Sequence, residues 1–281
     1  MMRGLWYYRD DYAKALELAK GMGTNTIIVK AAYHPDYPAC VMPPRYIEGT
    51  NQRVKAAHDA GLLFCAEAYI VPKWAAMGGQ LLKQAMGDGA DSVMLNAEVE
   101  WENVNGEPPN DFLYGLGNAP LHLCSDIRGG RLAATYHQVL WPQIASVHPM
   151  VYHHAFRPGN PFGALQLAFD DTLGNPNLAK MPKSVPIYPV VQGYDGCDYQ
   201  ETLGAVILAH LYGCPGSSVY VSHDLNKRAE LGVRDGWKIV EQLSSSLPAS
   251  MRAAGGAAYT LAKCAGEDIT AVINKLGIFL T

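Results

Sequence analysis

Charge is scarce in this chain: 17% of its 281 residues are Asp, Glu, Lys or Arg, with 22 basic against 26 acidic side chains and a net charge of -4. No basic field exists to attract phosphate backbones or anionic lipid, so no nucleic-acid partner is expected. Long apolar runs are missing as well. Leu203 to Leu211 is interrupted by Gly204 and His210 and falls far short of the roughly 20 residues that span a bilayer, so no transmembrane helix and no membrane partner is expected. Met1 to Gly4 runs straight into the aromatic segment Leu5 to Tyr8, with no basic region, apolar core and cleavage site in sequence, so no signal peptide is expected. The six cysteines, Cys40, Cys65, Cys124, Cys197, Cys214 and Cys264, form no CxxC pair and no zinc-ribbon spacing. Cys65 and Cys124 lie in apolar strand-like runs, which reads as buried, reduced thiols rather than a disulfide framework. HExxH and His-x-His pairs are absent, and glycine-rich phosphate loops are not evident. No metal and no cofactor is therefore expected, and phosphorylated substrates are disfavoured.

What the chain does hold is apolar. Hydrophobic residues fill 49% of positions and aromatic ones 10%, enough buried surface to offset ordering entropy and exclude a disordered protein. Short β-rich runs alternate with helical patterns. Leu5 to Tyr8, Thr26 to Tyr33, Leu62 to Val71 and Ser92 to Trp101 read as strands, separated by helices at Asp10 to Met22, Thr50 to Ala60 and Lys73 to Met86. The second half adds strands at Leu121 to Ile127, Met150 to Phe156, Val185 to Gln192 and Ser218 to Asp224. Its helices are expected at Arg131 to Val147, Pro161 to Leu173, Tyr199 to Tyr212 and Lys227 to Leu243. Such an α/β sequence predicts a (β/α)8 TIM barrel over residues 1–243, with a doubly wound open sheet as the structural alternative.

Loop lengths give a second argument. Helix-to-strand links are tight, whereas the strand-to-helix links His34 to Gly49 and Glu102 to Ala119 are long, and barrels build their active sites from that end. Residues 244–281, opening on Ser244-Ser245-Ser246-Leu247-Pro248, read as a short C-terminal extension that packs on the barrel or contacts a protein partner.

The fourth strand carries the clearest chemistry. Alternation along Asp91 to Trp101 turns Val93, Leu95, Ala97 and Val99 toward the helix layer, and Met94, Asn96, Glu98 and Glu100 into the barrel. Carboxylates on an inner strand are costly to bury without a task. Other inward or rim candidates are Lys30, Glu67 with Tyr69, His122 with Cys124 and Asp126, and the seventh-strand end Gln192-Gly193-Tyr194-Asp195-Gly196. His122, Cys124 and Asp126 share a face that a metal would need, but no second ligand pair supports it. Lys30 suits a salt bridge to Glu67 or Glu98, with a Schiff base as the sharper alternative.

These residues resemble retaining barrel glycosidases. Chitinase-type glycoside hydrolases carry DGxDxDxE on the fourth strand, and Asp91 and Glu98 match its first and last positions, while Met94 and Asn96 replace its second and third Asp. Asn96-Ala97-Glu98 is similar to the Asn-x-Glu of endo-β-N-acetylglucosaminidases, and barrel lysozymes share only the Glu. The resemblance implies Glu98 as general acid/base and Asn96 as the residue that holds a substrate 2-acetamido group while it attacks the anomeric carbon. Met150-Val151-Tyr152-His153 looks like the Met-x-Tyr-Asp segment of the same enzymes, which implies that Tyr152 binds the acetamido group, with His153 in place of the Asp. Ser222 stands where that family has a sugar-binding Trp, so Trp6, Trp101 or Tyr194 is needed as the platform.

Asp195 is the alternative nucleophile, or else a turn residue beside Gly196. Glu67, Glu100, Trp101, Asp126, Gln192, Tyr194 and Asp224 complete the expected substrate-binding set. The function implied is hydrolysis of a polysaccharide with N-acetylated amino sugars, such as peptidoglycan or a chitin-like chain. A leaderless hydrolase of this kind suits a cytoplasmic or virion-associated place, as in a phage lysin. The alternative is a non-catalytic barrel serving as a structural or carbohydrate-binding part of a larger assembly such as a phage tail.

Overall fold

The computed structural model describes residues 1–7, 11–101, 107–126, 143–152, 173, 184–194, 196–221 and 227–246. Its strands are β1 (Met2–Tyr7), β2 (Thr26–Tyr33), β3 (Arg45–Tyr46), β4 (Leu63–Tyr69), β5 (Ser92–Asn96), β6 (Leu121–Ser125), β7 (Ile144–Val151), β8 (Val190–Gln192) and β9 (Gly216–Val221). The helices are α1 (Tyr12–Met22), α2 (Thr50–Asp59), α3 (Ala75–Gly87), α4 (Glu107–Leu116), α5 (Tyr199–Leu211) and α6 (Lys227–Ser246).

Eight of these strands run parallel in the order β1-β9-β8-β7-β6-β5-β4-β2, and β1 pairs with β2 to close the barrel. Closure removes the open-sheet alternative. The two-residue β3 adds antiparallel to β2 through Ala32 opposite Tyr46. Among the described residues no helix is long and apolar enough to cross a membrane.

Alternation sorts the side chains into two cores. Leu5, Ile27, Val29, Phe64, Ala66, Val93, Leu95, Leu121, Leu123, Val151 and Val219 face outward into the helix layer. Trp6, Ile28, Cys65, Met94, Cys124, Met150 and Val190 fill the barrel interior. Cys40, Cys65, Cys124, Cys197 and Cys214 are free and buried. Cys264 lies outside the described residues.

Local sequence explains the element ends. Asp11 caps α1 by accepting from the Lys14 amide at 3.1 Å, so the helix starts after the expected Asp10. Asp198 and Glu201 form a reciprocal capping box at the start of α5, at 3.0 and 2.9 Å. Helices α3 and α4 meet at Gly79 and Gly115, where a Cβ on either would run into the other helix's backbone.

Several expected boundaries are corrected. The fourth barrel strand stops at Asn96 rather than Trp101, and Val99–Trp101 forms a 3-10 turn. Residues 144–147, expected in a helix, open strand β7, and Met150 lies near its end rather than its start. Pro149 sits inside that strand without an N–H to donate, which is why the sequence reads as a strand only after it. The link after the fourth strand contains α4, whose Pro108 and Pro109 suit a first helical turn and mask its periodicity. Helix α6 continues to Ser246, past the expected boundary at 243, and residues 247–281 lie outside the described part.

Candidate active site

At the C-terminal mouth of the barrel lies a cleft of about 650 Å³, lined by Lys30, Asn96, Glu98 and Asp126, by His34 and Met150, and by an aromatic set from Trp6 to Tyr220. Each strand delivers its part by running one or two residues past the ladder. Asn96 ends β5 and Glu98 follows it, Asp126 follows β6, Tyr152 follows β7, and Tyr194 stands two residues beyond β8.

Trp101 fixes the turn that carries Glu98. Its ring is fully buried edge-on to Phe112 of α4 at 6.2 Å, and its indole N–H donates to the Ile70 carbonyl beyond β4. The Trp101 amide donates to the Glu98 carbonyl at 3.0 Å, and the Ala97 amide donates to Cys124 of β6 at 2.9 Å. Glu98 is thus held from both sides of the turn.

Within the cleft, the Asn96 side-chain amide donates to Glu98 Oε1 at 3.2 Å. Asn96 is 8% exposed, and its Oδ1 is buried with no hydrogen-bond partner among the described residues. A buried, unanswered acceptor on a ligand-sized cleft is a vacancy for an N–H donor. Burial above all, then the charge of Glu100 and a smaller contribution from Asp126, raise the Glu98 pKa above the ordinary glutamate value. The Asn96 amide and Lys30 oppose that rise. Glu98 therefore tends to keep its proton at a pH where a solvated glutamate has lost it.

The opposite wall is a tyrosine cluster. Tyr152 stacks on Tyr220 at 5.7 Å, Tyr194 stands edge-on to both at 5.8 and 5.4 Å, and Trp6 meets Tyr220 at 6.4 Å. Burial pushes the Tyr220 phenol up to about 12 and that of Tyr152 well above its ordinary range, so both remain hydrogen-bond donors. Tyr33 ends β2, and the long loop after it contributes His34 and Tyr37. Asp36 braces it by accepting from the Val41 and Met42 amides at 2.7 and 3.0 Å, and His34 Nδ1 lies 3.0 Å from the Met42 carbonyl.

The structure brings Asn96, Glu98, Asp126, Tyr152 and Tyr194 together on one cleft. It corrects four other placements. Trp101 is an anchor rather than a sugar platform. Glu67 and Gln192 are fully buried in the barrel and do not line the cleft. Glu100 is exposed on the turn and influences Glu98 and the Tyr69 phenol through its charge. Asp195 and Asp224, with His153 and Ser222, lie outside the described residues.

Asp91, at the other end of β5, accepts from the Phe64 amide at 2.7 Å and sits 2.9 Å from His58 Nε2, so the first motif position is a clasp at the barrel foot. Sequence reasoning did not single out Tyr33, His34, Tyr37 or Tyr220. The length of the loop after β2 was the signal for His34 and Tyr37, and inward alternation on β9 for Tyr220. Among the described residues no group of three His, Cys, Asp or Glu side chains is placed to hold a metal ion.

No protein-family model matches the chain, and no curated protein matches it in sequence. Solved structures do resemble it. The chitinase of Chromobacterium violaceum aligns over 84% of this chain and 98% of its own, with a TM-score of 0.56 at 10% identity. The C-terminal domain of a putative chitinase from Desulfitobacterium hafniense aligns over 84% and 99%, with a TM-score of 0.58 at 10% identity. An endo-β-N-acetylglucosaminidase from Cordyceps militaris aligns over 84% and 89%, with a TM-score of 0.51 at 10% identity. At such identities the likeness is one of fold: the chain is a (β/α)8 barrel of the shape those proteins share.

Proposed function

We propose that the protein is a glycoside hydrolase acting on a polysaccharide with N-acetylated amino sugars, either peptidoglycan or a chitin-like chain. The observation that carries this reading is Asn96. Its amide steadies Glu98 while its buried Oδ1 waits on the cleft for an N–H donor, which is what a 2-acetamido group beside the scissile bond offers. Fold likeness to chitinases and to an endo-β-N-acetylglucosaminidase supports the same substrate class.

Glu98 protonates the glycosidic oxygen as the bond to the anomeric carbon breaks. The acetamido oxygen closes on that carbon, its N–H held by Asn96, and the positive charge spreads over the resulting oxazolinium ring. Water then adds to the anomeric carbon, gives its proton to the Glu98 carboxylate and reopens the ring, which restores both acetamide and acid. Tyr152 donates its phenol hydrogen to the sugar while the ring packs against its face.

The test is reducing-sugar release from purified peptidoglycan and from chitin oligomers by wild type and Glu98→Gln. Release by wild type and a loss of at least a thousandfold in the variant is expected. No release by wild type on either substrate, or equal release by both proteins, overturns the reading.

A further inference from the structure

The barrel mouth has two aromatic walls, and they differ in what they leave bare. On one, Tyr152 stacks on Tyr220, Tyr194 stands edge-on to both, and Trp6 is 2% exposed, so the rings largely cover one another. On the other, Tyr37 is 68% exposed and Tyr33 40%. Both line the same cleft as Asn96 and Glu98. Among the described residues eight large hydrophobic side chains are exposed, and four of them, Tyr33, Tyr37, Val41 and Met42, fall within ten consecutive positions. Apolar surface gathered in this way marks a contact.

The segment that bears Tyr37 is braced along its length. Asp36 accepts from the Val41 and Met42 amides. His34 is buried and engaged at both ring nitrogens: Nε2 accepts from the Val71 amide at 3.4 Å, which leaves Nδ1 to donate to the Met42 carbonyl. The Trp74 indole donates to the Cys40 carbonyl at 3.4 Å, and the Tyr37 ring stands perpendicular to Tyr69 at 5.5 Å. A tyrosine held toward solvent on such a loop gives up little freedom when a ligand covers it, so the contact area is gained at small entropic cost.

The place of Tyr37 relative to the acid selects the ligand. Strand order β2-β4-β5-β6-β7 sets the loop after β2 on one side of Asn96 and Tyr152 on the other. Burial first, and then the charges of Glu98 and Glu100, raise the Tyr37 phenol above its ordinary value, so it remains a hydrogen-bond donor within the field of the acid. A sugar held between Asn96 and Tyr152 leaves the Tyr37 side of the cleft to its neighbour in the chain. A sugar ring offers a face of C–H groups and a rim of hydroxyls. That matches an exposed tyrosine, apolar across its ring and polar at its tip.

We propose that Tyr37 is a substrate-binding platform for the sugar adjoining the one whose bond is cleaved. This rests on the glycosidase reading of Glu98 and Asn96. Stacking on Tyr37 is present in the bound substrate and in the transition state alike, so its loss falls on KM rather than on kcat.

Tyr37→Ala, Tyr37→Leu, Tyr37→Phe, Tyr37→Trp and Glu98→Gln are compared with wild type on chitin pentamer and on peptidoglycan fragments of similar length. On the substrate that wild type cleaves, Tyr37→Ala is expected to raise KM at least tenfold with kcat changed less than threefold. Tyr37→Phe and Tyr37→Trp should keep KM within threefold of wild type, because each retains an aromatic face. Tyr37→Leu, of similar bulk without a ring, should resemble Tyr37→Ala, and it keeps the test open if the alanine variant does not fold. A merely structural role would not separate ring from bulk, nor KM from kcat. In isothermal titration of the Glu98→Gln protein with the same substrate, adding Tyr37→Ala should weaken binding at least tenfold.

A folded Tyr37→Ala or Tyr37→Leu variant with KM within twofold of wild type, or with a loss confined to kcat, overturns the platform alone if Glu98→Gln is dead. The exposed lip is then a surface for a protein partner. Inactive wild type, or active Glu98→Gln, overturns the reading beneath the platform and the platform with it.

Discussion

The foot of the barrel holds a polar chain that takes no part in the proposed reaction and makes the fold sensitive to acid. His122 Nδ1 lies 2.6 Å from Ser146 Oγ, which lies 2.8 Å from His148 Nε2, and the two rings are 5.5 Å apart. Ser146 has one hydroxyl proton, so it donates to one imidazole and accepts from the other, and both rings are neutral in that arrangement. His148 is fully buried, which makes charging it costly. Burial pushes His122 down to about 4 from its ordinary 6.5, and burial followed by repulsion from His122 lowers His148 in the same direction.

The folded state thus binds fewer protons than the unfolded chain. The stability these groups contribute is complete above pH 6.5 and is lost as pH falls from there toward 4. For His122 alone the loss is about 2 kcal/mol by pH 5 and about 3 kcal/mol below pH 4. The check is urea unfolding of wild type and His122→Gln between pH 7.5 and 5, because glutamine keeps a hydrogen-bonding group near Ser146 without a titrating proton. Wild type should lose about 2 kcal/mol more than the variant over that interval. Parallel losses, within about 0.5 kcal/mol, would refute the assignment of a depressed, stability-linked His122.

Two other predictions concern the cleft and its support. Asn96→Ala removes the donor to the Glu98 carboxylate, so the basic limb of kcat/KM should move to higher pH, with kcat down roughly a hundredfold; a limb that moves downward would show that Asn96 does not steady the ionised acid. Gly79→Ala places a methyl against the Phe112 carbonyl and the Leu116 amide of α4. Helix propensity alone would gain about 1 kcal/mol, whereas forcing the helices apart should cost about 1–3 kcal/mol, so a rise in thermal midpoint counts against the close contact.

The fold was legible where one period governed a segment. Thr26 to Tyr33 is β2 as expected, because Ile27 and Val29 serve the outer core and Ile28 the inner one before an irregularity between Lys30 and Ala32 puts both Ala31 and Ala32 in the outer core. Legibility failed where a proline broke the pattern, at Pro149 within β7 and at Pro108-Pro109 opening α4. The site followed the same rule. Asn96 was placed correctly because it is the last residue of β5. Alternation has no force beyond it, and the 3-10 turn sends Glu100 to the surface and Trp101 into the wall. Glu98 reaches the cleft because its turn is pinned by Trp101, a contact across α4 and β4 that no local pattern encodes. His34 and Tyr37 were invisible for a related reason, since their loop is shaped by the side chain of Asp36 rather than by a period.

The order of layers along the barrel axis explains why the acid can work as one. Register carries one row around the barrel from Lys30 to Glu67, from Glu67 to Met94 and from Met94 to His122, with Ile28 and Cys65 one step toward the foot and Asn96 beside Cys124 one step toward the mouth. Cys65, Met94 and Cys124 beneath the cleft are fully buried, so the mouth is wetted from its open side. That asymmetry places burial first among the causes that raise Glu98, ahead of Glu100 and Asp126. A carboxyl raised mainly by desolvation keeps its proton until substrate arrives, and a bound sugar removes still more water.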